Sequence, residues 1–217
     1  MIGILSGIMK VTGIILAGGK NLRLGRNKPL VPIGGKNLVE CVIERLRPLT
    51  DRILVVTSRE QLDLLDTSQA EILADLYPEK GPLGGIYTGL LASQSSHNIV
   101  VACDMPFLST ELLRYMVELS PDFDAVIPNL EKGMREPLHA VYSRSCLGIM
   151  KVQLERNHLE VYFLLDMVRV RYVEREECQR LDPELLSFFN INYQADLDKA
   201  IIMAAKDGIR QETKNRS

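Results

Sequence analysis

Short apolar runs without period-two alternation constrain this chain more than any other feature. Ile53-Leu-Val-Val-Thr57 and Asn98-Ile-Val-Val-Ala102 are apolar at successive positions, as expected of strands covered on both faces. Similar runs predict strands over 12–17, 52–57, 71–74, 98–103, 124–128, 137–142 and 168–173. Between them, apolar residues recur at helical spacing over 37–48, 59–66, 84–94, 109–119, 144–156 and 195–206. Strand–helix alternation implies right-handed crossovers and a three-layer α/β architecture with a mostly parallel sheet. In such sheets ligands bind beyond the carboxyl ends of the strands. The loop after the first strand, Thr57-Ser58, Asp75 and Cys103-Asp104 all fall at such ends.

The chain is long enough, at 217 residues, for one domain with a sizeable core, and its 46% hydrophobic and 25% charged content is that of a globular protein. A net charge of −2 gives no overall basic field, so no nucleic-acid partner is expected. The N-terminal Met1–Lys10 is apolar but too short for a membrane span and lacks a basic n-region. It reads as an extension, with one domain over 11–206, a flexible tail over 207–217, and no membrane partner. Cys41, Cys103, Cys146 and Cys178 show neither a C-x-x-C motif nor zinc-ligand spacing. Scattered thiols of this kind point to a cytoplasmic protein.

The first strand empties into Leu16-Ala-Gly-Gly-Lys-Asn-Leu-Arg-Leu-Gly-Arg-Asn-Lys28, with three glycines and four basic side chains. Glycines let backbone N–H groups approach a ligand closely, and successive N–H groups make an anion-binding concavity. Gly18 and Gly19 are placed to cradle phosphates, and Arg23, Arg26 and a solvent-facing Lys28 add charge. The bland reading is a surface turn with solvated lysines. The Rossmann fingerprint does not fit, because Gly18 and Gly19 are adjacent and the next glycine is Gly25. A P-loop does not fit either: Arg26 follows Gly25, and Pro29 follows Lys28.

Asp104 ends the apolar strand Val100-Val-Ala-Cys103, and Pro106 turns the chain away. A hard oxygen at the ligand edge suits Mg²⁺, usually held by one or two carboxylates plus substrate phosphates. Helix capping is a rival role, but Ser109, with Glu111 following, is the better cap. Gly81-Pro82-Leu83-Gly-Gly leads into a helix, where N–H groups can face a ligand. The polar stretch Leu130–Glu136 either covers a site or is a solvated connection. Asn190 and Asn192 lie two apart in an extended segment and share a side, and Asp196 is placed to cap the last helix. His97, His139 and His158 are scattered without the spacing of a triad.

Residues 16–28 resemble the L-A-G-G-x-x-x-R-[LM]-G-x-x-K signature of molybdenum cofactor guanylyltransferases, the MobA family of nucleotidyltransferases; Leu16, Ala17, Gly18, Gly19, Arg23, Leu24, Gly25 and Lys28 occupy its fixed positions. Cys103-Asp104-Met105-Pro106-Phe107 resembles the family's C-D-x-P-[FY] magnesium motif. Gly81-Pro82-Leu83-Gly-Gly resembles its G-P-L-[AG]-G, and Phe188–Leu197 its C-terminal N-x-N segment. The resemblance implies a Rossmann-like nucleotidyltransferase fold. It also implies GMP transfer from GTP to the terminal phosphate of molybdopterin, with pyrophosphate as the other product. Arg23 and Lys28 would hold phosphates, Asp104 Mg²⁺, Asp75 the nucleoside, and Asn190 and Asn192 the pterin. Delivery and acceptor enzymes for the finished cofactor are further implied partners. The family often has an asparagine near the end of the second strand, where this chain has Thr57-Ser58. Cytidylyl relatives carry L-A-A-G, so Gly18 favours guanine over a molybdopterin cytidylyltransferase. A sugar-phosphate nucleotidyltransferase and a non-catalytic binding paralogue are two further rival readings.

Overall fold

The structure, a computed structural model, describes residues 11–18, 27–65, 68–131 and 133–214. The expected extension 1–10, together with Gly19, Arg23, Leu24, Gly25 and Arg26, lies outside the described residues. Along the chain run β1 (Val11–Leu16), the hairpin β2 (Pro32–Ile33) and β3 (Lys36–Asn37), α1 (Leu38–Leu46), β4 (Thr50–Thr57) and β5 (Glu71–Ala74). Next come α2 (Gly81–Ala92), β6 (His97–Ala102), α3 (Thr110–Leu119), β7 (Ala125–Glu131), β8 (Met134–Arg135) and β9 (His139–Ser143). The C-terminal part holds α4 (Leu147–Glu155), α5 (Val161–Leu165), β10 (Val170–Glu174), α6 (Arg175–Leu181) and α7 (Gln194–Lys214).

The main sheet has the strand order β10-β7-β9-β6-β1-β4-β5, with β8 on β7. β1 pairs in parallel with β4 and β6, β4 with β5, and β7 with β10. The one departure within that order is β9, antiparallel to both β6 and β7. The chain leaves β1 toward β4 and β5, and α2 then returns it to β6 on the other side of β1. Strand order therefore reverses beside β1, which opens a crevice between the ends of β1 and β6.

Burial explains the unbroken apolar runs. In β4, Ile53 and Val55 face a core shared with Val42 and Leu46 of α1 and Met116 of α3, whereas Leu54 and Val56 face Leu83, Ile86 and Leu90 of α2. In β6, Ile99 and Val101 take the first side and Val100 the second. Neighbouring side chains point oppositely in a strand, so a sheet between two helical layers needs both kinds apolar. A Cβ at Gly89 would collide with the Ile14 side chain, so α2 lies hard against β1 with its N-terminus above the end of that strand. A third cluster joins Val31, Ile33, Leu38, Phe107, Ile191 and Leu197, drawing the hairpin, the segment after β6 and α7 together.

Several local expectations differ from the structure. Residues 59–64 form 3₁₀ turns with no buried residue rather than an α-helix; without an apolar face to pack, a longer helix is not held. Helices α5 and α6 are too short to show a clear apolar period in the sequence. The last helix continues through Lys214, into residues that read as a tail in sequence. Apolar periodicity governs packing, whereas backbone helix formation needs only favourable residues such as the Arg, Gln, Glu and Lys found there. Among the described residues no helix is long and apolar enough to cross a membrane.

His139 is fully buried against Phe188, with ring centroids 4.8 Å apart, and neither ring nitrogen has a hydrogen-bond partner among the described residues. Burial pushes its pKa down to about 3. The unfolded chain, with an ordinary histidine near pH ~6.5, binds a proton that the folded state refuses. Stability from this group is therefore present above about pH 6.5 and falls by up to ~1.4 kcal/mol per pH unit as acid is added. His139→Leu is expected to flatten urea-unfolding stability between about pH 6.5 and 4.5 relative to the parent. Parallel pH profiles for the two proteins would contradict this.

Candidate active site

The crevice between β1 and β6 gathers side chains from three distant parts of the chain. Cys103 N–H donates to Leu16 O at 3.0 Å, and Ala17 N–H to Val56 O at 2.8 Å, so the ends of β1, β4 and β6 are stitched side by side. Asp104 emerges directly above. Its Oδ2 accepts from Lys28 Nζ at 2.5 Å, and the same ammonium donates to Asn192 Oδ1 at 3.0 Å. The Asp104 carbonyl accepts from Ile191 N–H at 3.1 Å, which fixes the C-terminal segment beside it. Asp104 Oδ1 is buried and has no hydrogen-bond partner among the described residues.

Lys28 opens a 3₁₀ turn with Pro29 behind it, and Val31 N–H closes the turn on Lys28 O. A bracket holds the residue before it: Thr57 Oγ1 donates to Gln61 Oε1 at 2.8 Å, and Gln61 Nε2 donates to Asn27 Oδ1 at 2.9 Å. Thr57 is fully buried, so its hydroxyl positions this loop end instead of facing a ligand; Ser58 stays half-buried. Lys28 also differs from expectation. Its side chain is only 16% exposed and is paired, in place of the solvent-facing lysine that a loop position suggests.

Asp75 lies at the end of β5. Its Oδ1 accepts from Thr88 Oγ1 at 2.8 Å and Tyr77 N–H at 2.9 Å, and its own N–H donates to Thr57 O. One carboxylate oxygen thus braces the turn between β5 and α2. Gly81, at φ +62, begins α2, and Pro82 follows it. Leu83 is fully buried in the core, so only its backbone can take part in a site. Gly18 and Ala17 leave β1 beside Thr57 and Ser58. Asn190 turns back to Phe188 O at 3.3 Å, so the two asparagines do not act alike here. Asp196 accepts from the N–H groups of Asn192 and Tyr193, capping α7 as expected, and Ser109 Oγ caps α3 through Leu112 N–H.

Burial pushes the Cys103 thiol up to about 12, with the adjacent Asp104 charge acting the same way. It stays protonated and is no nucleophile. Among the described residues no three His, Cys, Asp or Glu side chains are grouped to hold a metal. The arrangement presents one ammonium, one carboxylate with a bare oxygen, one amide and a helix N-terminus to the crevice. That combination suits a polyphosphate and a hard cation.

A family model described as the MobA-like NTP transferase domain matches residues 13–167. The chain belongs to that family. It is 34% identical over 197 residues to a probable molybdenum cofactor guanylyltransferase from Pelotomaculum thermopropionicum, covering 91% of this chain and 95% of the relative. The molybdenum cofactor guanylyltransferase of Desulfosudis oleivorans is 34% identical over 192 residues, covering 88% and 94%. Among solved structures, the molybdopterin-guanine dinucleotide biosynthesis protein A of Archaeoglobus fulgidus matches with a TM-score of 0.79 and 30% identity, over 90% of this chain and 100% of that one. This MobA-like chain is a nucleotidyltransferase with the mostly parallel α/β fold of its relatives.

Proposed function

We propose that a single domain over residues 11–206 transfers GMP from GTP to the terminal phosphate of molybdopterin, releasing pyrophosphate. The observation that carries this reading is the meeting of Lys28, Asp104 and Asn192 at the strand-order reversal, in a chain whose full-length relatives bear the guanylyltransferase name. Asp104 Oδ1, a buried oxygen without a donor among the described residues, fits a divalent cation. When bound, Mg²⁺ would neutralise charge on the phosphates and on the departing pyrophosphate.

The chain's own groups do the rest. Leu16, Ala17, Gly18 and Gly19 bring the loop backbone to the nucleotide, Gly81 and Leu83 on either side of Pro82 offer N–H groups at the start of α2, Arg23 and Lys28 hold phosphates, and Asp75 holds the nucleoside. Lys28, paired with Asp104 here, would be free to pair with the phosphates if Asp104 held a cation. Asn192, already touching Lys28, sits between the nucleotide and the acceptor, with Asn190 on the pterin side. The attacking phosphate has a second pKa near ~6 and is mostly dianionic at neutral pH, so no general base is required. Alignment and charge neutralisation supply the catalysis. Cytoplasmic location and contact with cofactor-delivery and acceptor enzymes go with the same reading.

Gly18 and the Gly81–Gly85 turn favour guanine. Calorimetry with Mg²⁺ is expected to give GTP binding at least tenfold tighter than CTP, about 1.4 kcal/mol. Equal or tighter CTP binding would move the chain to a cytidylyl activity.

A further inference from the structure

The chain leaves β1 and comes back to Lys28 beside the same strand, β4. On leaving, Ala17 N–H donates to Val56 O at 2.8 Å. On returning, Asn27 Oδ1 accepts from Gln61 Nε2 at 2.9 Å, while Gln61 Oε1 accepts from Thr57 Oγ1 at 2.8 Å. Thr57 is the last residue of β4 and is fully buried, so it is a fixed anchor. Its hydroxyl engages the oxygen of the Gln61 amide, which turns the NH₂ end toward Asn27.

Polar contacts, not packing, set this arrangement. The 3₁₀ segment Arg59–Leu64 buries none of its residues. Gln61 N–H donates to Ser58 O at 3.1 Å, which fixes its backbone against the end of β4. Asn27 Nδ2 is buried without a partner, so among the described residues Gln61 makes the one hydrogen bond of the Asn27 side chain. Removing it leaves that amide wholly unsatisfied, an unfavourable state for a buried polar group.

Lys28 follows directly. Leu30 N–H donates to Asn27 O at 3.0 Å and Val31 N–H to Lys28 O at 3.1 Å. The lysine backbone is thus held by the turn on one side and by Asn27 on the other. A lysine stem is long and flexible, and ordering it has an entropic cost. With the backbone fixed, Nζ already lies at Asp104 Oδ2 and Asn192 Oδ1, which lessens what nucleotide binding must order. Gln61 has no hydrogen bond to Lys28, Asp104 or Asn192 among the described residues, so its influence passes through Asn27.

We propose that Gln61 is a positioning residue for GTP: anchored by Thr57, it holds Asn27 and thereby sets Lys28 within reach of the nucleotide phosphates. The assignment rests on the phosphate role given to Lys28 under Proposed function.

The test is a double-mutant cycle, with GTP binding in Mg²⁺ measured by calorimetry for the parent, Gln61→Ala, Lys28→Ala and the double variant. Gln61→Ala should weaken GTP binding roughly tenfold, the scale of losing one or two neutral hydrogen bonds. Added to Lys28→Ala, the same change should cost less than about twofold, because the group it positions is gone. Thr57→Val keeps the shape of the anchor and removes its donor, and should weaken GTP binding in the same direction. An equal loss from Gln61→Ala in both backgrounds, as a merely structural role would give, overturns the assignment. Undiminished binding in Gln61→Ala or in Thr57→Val, with Lys28→Ala weakened, also overturns it and leaves the phosphate role of Lys28 standing. If Lys28→Ala itself binds GTP as the parent does, that role falls and the assignment falls with it.

Discussion

Asp104→Asn is expected to lower Mg²⁺-dependent turnover at least ~100-fold, the scale of removing one preorganised charge-stabilising group. The substitution keeps the size of the side chain and an oxygen that accepts from Lys28 Nζ, but removes the charge that makes a hard ligand. Folding should suffer little. The pair with Lys28 is partly exposed, at 16% and 17% for the two side chains, so its loss is worth about 1 kcal/mol and a Tm shift of about 2–4 °C. Steady-state turnover and a thermal melt on the same preparation separate the two effects. Near-parental turnover would remove Asp104 from the centre of the mechanism.

Lys28→Ala should weaken GTP binding and turnover together. A charge-assisted hydrogen bond to phosphate is worth about 1.5–3 kcal/mol, or roughly 10- to 100-fold in affinity. This variant should also be less stable than Asp104→Asn, because it strips Asp104 Oδ2 of its Lys28 donor while Oδ1 already lacks one among the described residues. An unsatisfied partly buried carboxylate costs about 1–3 kcal/mol. GTP titration by calorimetry, with a melt as control, checks both. A fall in turnover with unchanged GTP affinity would show that Lys28 acts on the acceptor instead.

Each member of the central cluster is legible alone in the sequence. Asp104 stands at the end of an apolar run, Lys28 closes a glycine loop, and Asn192 lies in a short extended segment. Their meeting is not legible, since 76 residues separate Lys28 from Asp104 and 164 separate it from Asn192. Contacts at that separation depend on strand order, and the return of the chain across β1 leaves no local mark. The same reason hides the bracket from Thr57 through Gln61 to Asn27; isolated polar residues carry no periodic signal. A lysine in a loop is ordinarily exposed, so nothing local in the sequence marks Lys28 as enclosed by Asp104 and Asn192. Nor does the polar connection before β9 mark in the sequence that this strand runs antiparallel beside β6, a departure from the expected mostly parallel pattern. Core-forming elements are easier to read, because β4 and β6 need apolar side chains on both faces.

The central claim is that this crevice joins GTP to a pterin phosphate. Pyrophosphate release measured with GTP, Mg²⁺ and molybdopterin, with each component omitted in turn, tests it most directly. Release that needs all three, and that CTP supports poorly in place of GTP, is the expected result. Absence of pyrophosphate with all three present, or release that proceeds equally well without molybdopterin, would contradict it.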